Sequence, residues 1–136
     1  MEINFLAVVV VAIIQMVVGM VWYGKLFGKK WMEFMGTTGK TEAEMKAMEK
    51  ASQPLYIAQF AISLLSNTFL AFVVSKGLAS GPVTAFALWL GLVMPIQTGV
   101  MWDNLPGKIR FQKFLVLAGY QLICMLIAGC IFEAWM

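Results

Sequence analysis

At 136 residues the chain is long enough for one domain. It is 61% hydrophobic and 12% charged with a mean hydropathy of +0.83, where soluble domains carry roughly 45–50% apolar and about 25% charged residues. That gap excludes an ordinary water-soluble domain, and the formal charge of +3 says less than the placement of its lysines.

Crossing the hydrocarbon layer takes about 20 apolar residues in a helix. The first qualifying stretch runs from about 3 to 23 and holds no charge. Glu2 stands where a signal peptide has its basic region, and no small-x-small cleavage site follows, so this segment is expected to be a retained anchor.

The connection after it carries Lys25, Lys29, Lys30, Lys40, Lys46 and Lys50. Phe27, Trp31, Phe34 and Met35 fall at i, i+4, i+7 and i+8, which predicts an in-plane amphipathic helix over about 27–35. Gly36-Thr37-Thr38-Gly39 then breaks the chain. Thr41 with Glu44 forms a capping box for a short polar helix over about 42–52, where Glu42 and Lys46 add an i,i+4 pair. The mixed charge reads as a solvated face, not a nucleic-acid patch. Pro54 suits the first turn of a second span, about 54–75.

Lys76 to Gly81 reads as a tight hairpin leading to a third span over about 82–102. Pro95 lies inside it, where it frees a carbonyl and predicts a kink, making it a candidate hinge. Gln97 and Thr98, just beyond, are placed to satisfy the freed groups. Asp103-Asn104-Leu105-Pro106-Gly107 is a turn cluster. The fourth span covers about 114–135, with Glu133 near its end. Cys124 and Cys130, six apart, point to different helix faces and read as buried thiols that cannot bridge each other.

The expected fold class is therefore all-α: a polytopic membrane protein forming a single four-helix transmembrane domain over 1–136, with loop helices. Six lysines lie in the first connection; Lys108, Arg110 and Lys113 lie in the third; Lys76 alone lies in the second. The positive-inside bias puts both termini outside the cytoplasm of a cytoplasmic (inner) membrane. Trp22, Tyr23, Tyr56, Trp102 and Trp135 fall near the expected interfaces. Gly19-Met20-Val21-Trp22 and Gly99-Val100-Met101-Trp102 suggest a weak internal repeat between the first and third spans.

Polar side chains inside the spans are the candidate site. Each span holds an amide (Gln15, Gln59, Gln97, Gln121), and all four fall in the half nearer the cytoplasm, roughly 8–14 Å from that boundary at the helical rise. Ser63, Ser66 and Asn67 extend Gln59 into a stripe, and Thr98 and Tyr120 lie at similar depths. Two readings fit: a hydrogen-bonded layer that holds the bundle in register, or a neutral polar path for a small solute. Gly19, Gly91, Gly99, Gly119 and Gly129 allow close helix approach under either.

No catalytic arrangement is expected. There is no histidine, which removes the commonest general acid–base group and metal ligand. No buried lysine or acid pair is placed to activate a serine, and no glycine loop is built for phosphate. The expectation is a non-enzymatic chain with no cofactor and no metal.

Two stretches resemble a known family. Trp22-Tyr23-Gly24-Lys25-Leu26-Phe27-Gly28-Lys29-Lys30-Trp31-Met32 resembles the signature after the first span of the bacterial domain of unknown function 1761 family. Trp89-Leu90-Gly91-Leu92-Val93-Met94-Pro95, then Gly119-Tyr120, Gly129 and Trp135, resemble its C-terminal half. The resemblance spans nearly the whole chain and implies the same four-span layout; it implies no activity. Where members often hold an Asn shortly before the Gly-Tyr pair, this chain has Leu117 and Ala118.

The leading expectation is thus a structural or accessory membrane protein, its partners the lipid bilayer and a homo-oligomer. The alternative is a channel or transporter subunit for a small neutral solute. The scale resembles the small multidrug transporters, but those use an acid in the first span, where this chain offers only Gln15. A membrane-surface sensor acting through Phe27 to Met35 is a third reading.

Overall fold

The computed structural model describes residues 2–135, and every regular element among them is a helix. Four are long and apolar enough to cross a membrane: Phe5–Leu26, Glu42–Ser75, Gly81–Trp102 and Gly107–Trp135. The all-α, polytopic class expected from hydropathy is the class observed.

Helix α1, Phe5–Met20, is capped by Asn4, whose side-chain oxygen accepts from the Ala7 N–H at 3.2 Å. The Asn4 amide also donates to the Trp135 carbonyl at 3.2 Å, so both ends of the chain lie on one side of the bundle. Past Met20 the helix widens into a π turn, Val21–Leu26, closed by the Phe27 N–H on the Trp22 carbonyl at 2.9 Å. Such widened turns shift side chains relative to a regular helix and often mark functional positions.

Helix α2, Gly28–Met35, is the short amphipathic helix of the first connection. Phe34 is buried, and Trp31 packs edge-on against it with ring centroids 6.4 Å apart. Met35, expected on that apolar face, is exposed. Gly36 ends the helix at φ 69°, a left-handed position that glycine reaches without a Cβ clash.

Helix α3, Glu42–Ser75, joins two elements that the sequence separates at Pro54. The capping box forms as read: Glu44 N–H donates to the Thr41 hydroxyl at 3.2 Å, and Thr41 N–H to the Glu44 carboxylate at 3.1 Å. Pro54 then sits in the helix interior. Its missing N–H leaves the Lys50 carbonyl free, and that residue is exposed, so the helix passes through without stopping. At 1.5 Å per residue its 34 residues reach about 51 Å, well past a hydrocarbon layer of about 30 Å.

The third span is irregular. Helix α4, Gly81–Leu88, has Pro82 in its first turn; a π turn follows at Trp89–Val93, then helix α5, Met94–Gln97, and a 3-10 turn, Thr98–Trp102. Pro95 lies directly after the π turn. The Met94 N–H bonds the Trp89 carbonyl five residues back, and Pro95, next in the chain, has no N–H to give. The Thr98 hydroxyl donates to the Pro95 carbonyl itself at 2.6 Å, three residues back.

Helix α6, Gly107–Trp135, begins seven residues before the expected start, so Lys108, Arg110 and Lys113 are helical. Lys113 meets Asp103 at 2.6 Å, joining the ends of the third and fourth spans. The tightest crossing is between Gly81 and Gly129, where a Cβ on either would overlap backbone of the other. A core of Ala7, Val8, Val11, Leu70, Ala71, Val74, Ala128 and Phe132 fills the end of the bundle that holds the termini. Small side chains let the helices close there. Cys124 is buried, whereas Cys130 is exposed, because its position on α6 faces away from the other spans.

The Trp22–Trp102 repeat is not carried by the fold. Trp22 is half-buried against α6, whereas Trp102 is 86% exposed at the end of the 3-10 turn.

Candidate functional site

An amide in hydrocarbon must find hydrogen-bond partners inside the protein. Gln15, on the half-buried face of α1, finds all of them. Its Nε2 donates to the Asn67 Oδ1 at 3.2 Å and to the Cys124 carbonyl at 3.4 Å. Its Oε1 accepts from the Asn67 Nδ2 at 2.8 Å and from the Ser63 hydroxyl at 3.2 Å. A glutamine carries two donors and an oxygen with two lone pairs. All four positions are filled.

The rest of the cluster closes on itself. The second Asn67 N–H donates to the Ser63 hydroxyl at 3.2 Å, one turn earlier on α3. The Tyr120 hydroxyl donates to the Gln15 backbone carbonyl at 2.9 Å. Gly19 makes room for it: a Cβ there would lie 3.1 Å from the Tyr120 oxygen. Asn67 is 3% exposed, and among the described residues no buried side-chain nitrogen or oxygen lacks a partner. Three spans, α1, α3 and α6, are tied by one saturated polar knot.

The expected layer of one amide per span is not what the helices assemble. Gln15, Ser63, Asn67 and Tyr120 come together. Gln59 is two helical turns, about 12 Å, from Asn67 along α3, and it is exposed. Gln97 and Gln121 are partly exposed and make no side-chain hydrogen bond among the described residues; Thr98 is exposed and bonds its own helix. Ser66 is exposed on the outer side of α3. The third span contributes nothing to the knot. Its irregular turns aim its polar groups elsewhere.

Trp22 and Trp89 hold the fourth span. The Trp22 indole N–H donates to the Val116 carbonyl at 3.0 Å, and the Trp89 indole N–H to the Ala118 carbonyl at 2.9 Å. Each tryptophan belongs to a π turn, and together they grip α6 through backbone carbonyls two residues apart. Gly119 lies against the first, where a Cβ would stand 3.3 Å from the Trp22 ring. The signal was available at Trp89: an indole N–H in mid-span needs an acceptor. At the basic end, Tyr23 packs against Trp31 and Tyr120 with centroids 4.4 and 5.0 Å apart, linking α2 to the knot.

No curated protein and no solved structure matches this chain. One family model matches residues 6–132, a stretch that contains the whole knot and both gripping tryptophans. With nearly its full length covered, the chain belongs to the family described as Protein of unknown function (DUF1761).

Proposed function

We propose that this protein is a structural or accessory component of the membrane, non-enzymatic, whose intramembrane polar residues serve packing. The observation that carries the reading is the saturation of Gln15. A side chain that lines a solute path keeps donors or acceptors free to exchange with the solute, whereas every valence of this amide is bound within the chain. The grip of Trp22 and Trp89 on α6 serves the same end. What the bundle holds out for partners is its lysine-rich end, where α2 lies across the base of α6 and the Lys30 ammonium donates to the Gln112 side chain at 3.3 Å.

The same basic end supports the finer location: a cytoplasmic membrane, with the lysine-bearing connections inside and both termini outside. The partners of this reading are lipid and protein.

Solute permeation tests the function. Vesicles containing the purified chain are expected to swell in urea or glycerol at the rate of protein-free vesicles. Asn67→Leu is expected to lower thermal stability in detergent without changing that rate. Saturable swelling that Asn67→Leu abolishes would overturn the accessory reading and favour passage of a neutral solute through the layer.

A further inference from the structure

Helix α3 has a second polar face, turned away from the bundle. Gln59 and Ser66 are exposed, and neither makes a side-chain hydrogen bond among the described residues. They are seven residues apart, hence on one stripe of the helix. Between and beside them, at alternating spacings of four and three, stand Leu55, Ile62 and Phe69, which are 68%, 61% and 61% exposed. Three large apolar residues recur every seven positions, with a polar residue at the interleaved position. This is the pattern of a helix–helix seam.

The apolar members alone are satisfied by lipid; the polar members are not. Ser66 is nine residues, about 14 Å, from the end of α3 at Ser75, which puts it near the middle of the bilayer. Hydroxyl and amide groups at such depths recruit partners on neighbouring helices. Both are self-complementary: each is donor and acceptor at once, so a copy of the same residue satisfies it. A two-fold axis brings each residue of such a seam opposite its own copy.

We propose that the outward seam of α3, running from Leu55 through Gln59, Ile62, Ser66 and Phe69 to Val73, pairs two copies of this chain as a parallel dimer in the bilayer. Gln59 meets Gln59 of the second copy in a reciprocal amide pair, Ser66 meets Ser66, and the large apolar residues interdigitate between them. Beyond the membrane, Glu44 lies on the same stripe, eleven residues before Leu55. Repulsion between Glu44 and its copy across the axis confines the contact to the span. The knot facing the bundle and the seam facing out are therefore two uses of one helix. The dimer stands whether the assembled protein is an accessory subunit or a solute carrier.

Cysteine cross-linking in native membranes tests it, in the full chain carrying Cys124→Ala and Cys130→Ala. Leu55→Cys, Gln59→Cys, Ile62→Cys and Ser66→Cys are expected to give oxidised dimer. Ile57→Cys and Ala61→Cys, exposed on another face, are not. Equal cross-linking on both faces, or none on the seam, overturns the proposal. A second measurement follows dimer dissociation by dilution in vesicles. Gln59→Leu with Ser66→Ala touches no contact of the bundle and is expected to weaken the dimer about tenfold, the scale of one or two intramembrane hydrogen bonds. An unchanged dimer also overturns it. A strict monomer would end the dimer and leave the accessory reading standing.

Discussion

Removing both partners of the Gln15–Asn67 pair is expected to cost less than the two single losses combined. Gln15→Leu severs four side-chain hydrogen bonds and Asn67→Leu severs three, two of them shared with Gln15. At about 0.6 kcal/mol for each intramembrane hydrogen bond, the single losses come to about 2.4 and about 1.8 kcal/mol. The double variant removes five distinct bonds, about 3 kcal/mol, against about 4.2 kcal/mol if the effects were additive. The coupling of about 1.2 kcal/mol is the two shared bonds counted once. Reversible unfolding of the four proteins in mixed micelles measures it. Additivity within error would refute the knot, since it would mean that the two amides do not touch.

The remaining expectations address the grip on α6, the glycine crossing and the basic end. Trp89→Phe and Trp22→Phe, which keep a ring and lose the indole N–H, should each cost on the order of 1 kcal/mol in the same unfolding assay. Trp102→Phe should be neutral, because that ring is 86% exposed. Gly129→Val places a side chain into the Gly81 backbone and should prevent the folded bundle from forming, read as loss of the protease-resistant core. Lys113→Gln should destabilise by about 1 kcal/mol or less, since Asp103 is partly exposed, with the difference shrinking as salt is raised.

How much was legible depended on whether a feature is a property of one segment or of two. The four spans, the amphipathic α2 and the capping box at Thr41 are local: hydropathy, a repeat of 3.6 residues and one cap spacing determine each. The continuity of α3 through Pro54 was not legible from the proline alone. It depends on the Lys50 carbonyl lying where water can reach it. Polarity marked Gln15, Ser63, Asn67 and Tyr120, but so it marked Gln59, Gln97, Thr98 and Gln121. Which of them converge is set by how each helix rotates about its axis. That rotation comes from the contact of Gly81 with Gly129 and from the two π turns, neither of which has a spacing rule. Trp89 is the converse case: its own indole N–H, in mid-span, calls for an acceptor whatever the neighbouring helix.

The central claim is that the polar knot around Gln15 is closed. Deuterium exchange of the Gln15 side-chain amide, followed by solid-state nitrogen NMR in lipid bilayers, tests it directly. A saturated knot keeps those two protons protected when the bilayer is moved into heavy water, with a through-space contact to the Asn67 carboxamide. Rapid exchange at Gln15 without that contact would mean that water reaches the layer, and the packing account would fall.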